Sequence, residues 1–175
     1  TTAEYMHNSG KIIACDMYEH KLKLIEKGAK RLGIDIVETC LRDGSSDENP
    51  LPMADRILCD VPCSGLGVLS RKPEIRYKDD LIDTDLADIQ YKILCESAKY
   101  LKKGGKLVYS TCTLNPQENN KNTAKFLAEH NDFEGVELEL PPELKRAFDE
   151  KPYEITLMPH TFDGDGFYIA VLTRR

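Results

Sequence analysis

Two cysteines occupy the segments of this chain best suited to chemistry. Cys63 lies in DVPCSGLG (Asp60 to Gly67) and Cys112 in YSTCTLNPQEN (Tyr109 to Asn119). A thiol just past the end of a strand can ionise and attack an electrophile, because the thiolate is the nucleophilic form. In the first segment Pro62 stiffens a strand exit, and Gly65 and Gly67 are expected to let the backbone approach a ligand. Burial as a small apolar residue would also account for either cysteine alone. Three carboxylates form a second pattern, since Asp16, Asp43 and Asp60 each close or follow a short apolar run. At the end of the first strand of a strand-turn-helix unit, Asp16 can accept the ribose hydroxyls of a nucleoside cofactor. Asp43 repeats the position and could receive an adenine's exocyclic amine. Asp43-Gly44 is also ordinary turn chemistry, and Asp16 equally suits a helix cap. Arg71, Lys72, Arg76 and Lys78 make a positive strip around Tyr77, which suits phosphates and a stacked base as well as plain solvation.

The elements that must position these residues follow from the apolar spacing. Lys11 to Asp16 reads as a buried strand, and Leu22, Ile25, Ala29 and Leu32 form a helical stripe stopped at Gly33. Strands are expected at 36–41 and 56–60, and a long loop follows Cys63. A helix runs from Thr84 to about Lys102, with Leu86, Ile89, Ile93 and Leu101 on one face and Gly104-Gly105 as its stop. Lys106 to Ser110 is the next strand, and 117–130 a polar helix. Further strands are expected at 136–140, 154–158 and 166–173. Strands alternating with helices predict an α/β fold with a mostly parallel, doubly wound sheet, and ligands at the strands' carboxyl ends.

Composition narrows the function classes. With 175 residues, 41% hydrophobic and 31% charged, the chain is expected to fold as one domain with a sizeable core. Its 24 basic against 30 acidic residues give a net charge of −6, so any RNA contact must be local. No apolar run approaches the roughly 18 residues that cross a bilayer, and no leader opens the chain; a cytoplasmic protein with no membrane partner is expected. The six cysteines include no CxxC pair and no adjacent His cluster, which argues against a bound metal. His160, Asp163 and Asp165 form only a polar turn before the last strand.

Asp60-Val61-Pro62-Cys63-Ser64-Gly65, Ser110-Thr111-Cys112-Thr113 and Asp165-Gly166-Phe167-Tyr168 together resemble the NOL/NOP/Sun family of RNA cytosine-C5 methyltransferases. KIIACDMYEHKLKLIEKGAKRLGI and RKPEIRYK look most like its bacterial Sun (Fmu) branch, which methylates small-subunit ribosomal RNA. The resemblance covers essentially the whole chain and implies a Rossmann-like fold that uses S-adenosylmethionine. It places Asp16 on the cofactor's ribose, Asp43 near its adenine, and Asp60 beside its methionine end and the target base as a catalytic residue, with Pro62 also binding the cofactor. Cys112 matches the family's nucleophile, and Cys63 matches the second cysteine, which assists product release.

One departure from the family stands out. Its members carry a first central strand and a Gly-rich loop before the residues matching Thr1-Thr2, so the sequence predicts a catalytic domain over 1–175 that is truncated at its N-terminus. Alone, this chain is expected neither to bind cofactor normally nor to methylate, and to self-associate through exposed sheet edges. A noncatalytic RNA-binding or assembly module, and a thiol redox protein using Cys63 and Cys112, are the alternatives.

Overall fold

The computed structural model describes residues 1–77, 84–144, 150–161 and 163–175, and the chain forms two compact units, Thr1–Pro50 and Leu51–Arg175. In the first, a short helix α1 (Thr2–Tyr5) precedes strand β1 (Ile12–Asp16), helix α2 (Glu19–Arg31) and strand β2 (Val37–Leu41). A helical crossover is what parallel neighbours require, and β1 pairs β2 in parallel from Ile12↔Val37 to Asp16↔Leu41. Lys30 and Arg31 complement the dipole in the last turn of α2. Gly33 then adopts φ 66°, the left-handed stop expected there.

The second unit contains β3 (Ala54–Asp60), α3 (Thr84–Ala98), β4 (Leu101–Thr111), α4 (Asn120–Glu129), β5 (Phe133–Gly135), β6 (Glu154–Leu157) and β7 (Phe167–Arg174). Its sheet runs β3-β4-β7-β5, and β6 also pairs β7. β3 and β4 are parallel, whereas every ladder on β7 is antiparallel. The strands, crossover helices and parallel pairs make this an α/β, Rossmann-like fold. Leu94, Leu101, Leu107, Tyr109, Phe126, Tyr168 and Leu172 are buried together, and each fully buried Leu or Phe contributes about 1.5–3 kcal/mol. The Tyr109 and Tyr168 rings meet edge to face at 6.3 Å.

Three sequence expectations are corrected. Gly104-Gly105 does not end the helix: α3 stops at Ala98, and the pair lies within β4. There the register slips from Ala54↔Leu101 to Arg56↔Lys106, an irregularity that Gly104 accommodates at φ 73°. The strand expected at 136–140 lies earlier, at Phe133–Gly135. The inward stripe of α3 contains Gln90, Leu94 and Ala98, while Ile89 is exposed. Polar Gln90 is drawn inward by partners that apolar periodicity could not reveal.

Candidate active site

Parallel pairing of β3 with β4 places Asp60 opposite Ser110, so both strands end at one edge of the sheet. The loops leaving that edge carry Cys63 and Cys112, whose Sγ atoms lie 3.1 Å apart. Both thiols are half-buried. Burial, reinforced by the Cys112 sulfur beside it, pushes Cys63 well above the ordinary thiol value of 9.0 and keeps it protonated at neutral pH. Next to the pair, Ser110 Oγ donates to Asp60 Oδ1 at 3.2 Å, and the Asp60 side chain faces solvent. Pro62 is exposed, and its carbonyl accepts a bond from Gln90 Nε2 at 2.8 Å.

Backbone contacts join the two loops to the turn before β7. Gly67 N donates to Cys112 O at 3.0 Å, and Gly166 N donates to Gly67 O at 2.8 Å. A Cβ on Gly67 would lie 2.1 Å from Gly166 O and 2.9 Å from Cys112 O. The close approach expected of Gly67 is therefore to its own chain rather than to a ligand. Gly65 supplies a left-handed turn at φ 75°.

Behind the thiols is a polar cluster that the sequence did not single out. Glu118 accepts bonds from Ser64, Gln90 and Asn115. Asn119 bridges the Cys112 loop, accepting from Thr111 Oγ1 at 2.6 Å and donating to Thr113 O at 2.9 Å. The run Gln117-Glu118-Asn119 reads as a solvated helix start, so only the burial of Glu118 and Asn119 reveals this role. The Asn115-Pro116 turn was the available signal, because it directs the following residues back under the loop.

In the first unit, Asp16 closes β1 and Asp43 lies in the turn after β2, and both make local bonds. Asp16 Oδ1 accepts Tyr18 N at 2.9 Å, and Oδ2 faces Lys21 Nζ at 3.5 Å, with the side chain 24% exposed. Asp43 Oδ1 accepts Ser45 N and Oγ at 2.8 and 2.7 Å. The Ser45 backbone bond, with the hydroxyl beside it, holds Asp43 below the usual carboxylate range. Turn chemistry is thus present at both residues, and the N-cap of α2 is Tyr18 rather than Asp16.

The positive strip is divided. Arg71 pairs with Asp165 at 2.9 Å, an exposed pair worth about 1 kcal/mol at most. Lys72, Arg76 and Tyr77 are exposed, Tyr77 to 85%, and buried Ile75 anchors their turn. Lys78 lies outside the described residues. Among the described residues no cluster of His, Cys, Asp or Glu has the makings of a metal site, and no helix is long and apolar enough to cross a membrane.

Residues 1–173 match the family described as 16S rRNA methyltransferase RsmB/F. A probable ribosomal RNA small subunit methyltransferase B of Bacillus subtilis is 41% identical over 99% of this chain and 40% of its own length. The corresponding Synechocystis protein is 35% identical over 98% of this chain and 39% of its own. The structure of NSun6 from Pyrococcus horikoshii with SFG superposes with a TM-score of 0.86 at 30% identity, over 99% of this chain and 44% of that one. The chain spans about two fifths of the length of the curated relatives it matches.

Proposed function

Because the chain belongs to the 16S rRNA methyltransferase RsmB/F family, we propose that residues 1–175 are a methyltransferase catalytic domain acting at C5 of a cytosine in ribosomal RNA. The observation that carries this reading is the approach of Cys63 and Cys112 to 3.1 Å at the ends of adjacent parallel strands. Two thiols on one edge suit a reaction that needs a nucleophile and a separate proton-handling group.

The family's cofactor, S-adenosylmethionine, supplies an electrophilic methyl group. Each unit by itself offers residues that suit it: the first has Asp16 and Asp43, carboxylates for its ribose and adenine, and the second has Asp60 and Pro62 for its methionine end. C5 of cytosine is a poor nucleophile until a thiolate adds at C6. Cys112 makes that bond, and the C6 addition places electron density on C5. After methylation the C5 proton leaves to a base, the Cys112–C6 bond breaks, and the electron pair restores the aromatic ring. Cys63, which matches the family's second cysteine, lies 3.1 Å from Cys112 and is placed to assist release of that sulfur. A base within a stack cannot reach these thiols, so the substrate is an unpaired or easily flipped cytosine. Lys72, Arg76 and Tyr77 are suited to contact the flanking RNA.

The test is covalent capture. A protein of the relatives' full length carrying this domain is incubated with S-adenosylmethionine and RNA containing 5-fluorocytosine, whose C5 fluorine blocks release of Cys112. A cross-linked protein-RNA band that vanishes in Cys112→Ala is expected; no adduct with any RNA would favour a noncatalytic RNA-binding module. The 175-residue chain alone is expected to be inactive, and calorimetry with S-adenosylmethionine checks whether it binds.

A further inference from the structure

We propose that Glu118 is the positioning residue of the thiol pair, its buried carboxylate holding the Cys63 and Cys112 loops at the separation from which both sulfurs address one base. The holding itself follows from geometry, and only its use on a base rests on the function proposed above.

Glu118 is 1% exposed. Its Oε2 accepts Ser64 N at 2.9 Å and Gln90 Nε2 at 2.8 Å, and its Oε1 accepts Ser64 Oγ at 2.6 Å and Asn115 Nδ2 at 3.0 Å. These donors come from the Cys63 loop, α3 and the Cys112 loop. The chain is gripped on both sides of Cys63, since Gln90 Nε2 also holds Pro62 O at 2.8 Å and Ser64 is the next residue. On the other loop, Ser64 Oγ lies 2.7 Å from Thr113 Oγ1, adjacent to Cys112. The cluster is tied to the sheet as well, because Tyr109 of β4 donates its hydroxyl proton to Glu118 O at 2.6 Å.

A carboxylate suits this place because it only accepts, and so directs each donor around it to a fixed point. All four donors are uncharged, so no ion pair offsets the cost of burial. An apolar side chain could fill the space without that cost, but it could not orient Ser64 against Asn115. Glu118→Gln keeps the volume and turns an NH2 group towards donors, separating the loops. A role confined to stability would lower the melting temperature and leave the thiol geometry of folded molecules unchanged.

The experiment reads that geometry directly. The 175-residue chain is treated with diamide, which accepts the two thiol hydrogens as Cys63 and Cys112 join in a disulfide; peptide mass mapping follows the product. In Glu118→Gln, at a temperature where circular dichroism shows it folded, capture should slow by about tenfold or more, while alkylation of exposed Cys15 keeps its rate. Unchanged capture in the folded variant would overturn the proposal, as would a parent chain that forms no such disulfide. Should Glu118→Gln fail to fold, Ser64→Ala decides in the same way, slowed capture supporting the proposal and unchanged capture defeating it. The measurement uses neither RNA nor cofactor, so failure of the cytosine reading would leave its result intact.

Discussion

At the residue scale the two cysteines have different environments and, on the reading proposed here, different tasks. Cys63 is kept protonated by burial and by the Cys112 sulfur, which disfavours a standing nucleophile. In a protein of the relatives' full length, Cys112→Ala should abolish methyl transfer. Cys63→Ala should still form the bond to C6 but fail to release it, so a covalent protein-RNA adduct accumulates on unmodified RNA. Denaturing gels with labelled RNA distinguish the two, and equal activity of both variants would reverse the assignment. The sequence pointed to both thiols because each follows a strand end. It could not show Glu118 beneath them, since burial of a carboxylate depends on donors 28 and 54 positions away.

At the element scale, two strand ends and one turn are stitched together through glycine backbones. Gly67 meets Gly166 so closely that any Cβ would overlap main chain, and backbone cannot yield as a flexible side-chain tip can. Gly67→Ala should therefore destabilise the second unit by about 3 kcal/mol or more, at the upper end of overpacking costs, and separate the Cys63 loop from Cys112. Urea unfolding would check the first effect and diamide capture the second; a variant as stable as the parent would contradict the packing argument. Gly104 illustrates the opposite limit of sequence reading. A Gly-Gly pair after a helical stripe looks like a stop, yet the left-handed residue serves a register slip within β4.

At the scale of the whole molecule, buried acids govern the response to pH. Burial pushes Cys59 up to about 11 and raises Tyr109 and Tyr168, the last helped by neighbouring Glu154. The unfolded chain releases these protons near the ordinary values of 9.0 for Cys and 10.0 for Tyr, where the folded chain still holds them. Their contribution to stability is complete below about pH 9 and is lost as pH rises towards the folded values. The urea midpoint should fall between about pH 8 and about pH 10.5, and a constant midpoint would contradict this. Sheet edges set the second property. Among the described residues β3 pairs only β4, and Leu58 on it is 66% exposed. Strands with one edge unpaired recruit partners, so light scattering should show mass rising with concentration; a monomer over a wide range would count against it.

Sequence alone determined the order of strands and helices, the strand-end positions of Asp16, Asp43 and Asp60, and the family to which DVPCSG and STCT point. These are local properties, carried by apolar periodicity and by residues that follow one another in the chain. Tertiary structure decided the 3.1 Å approach of Cys63 to Cys112, the reversal of direction on β7, the burial of Gln90 and Glu118, and the contact that forbids a side chain at Gly67. Each of these depends on segments distant in the chain meeting in space, where ladder pairing and the satisfaction of buried polar groups fix what periodicity leaves open.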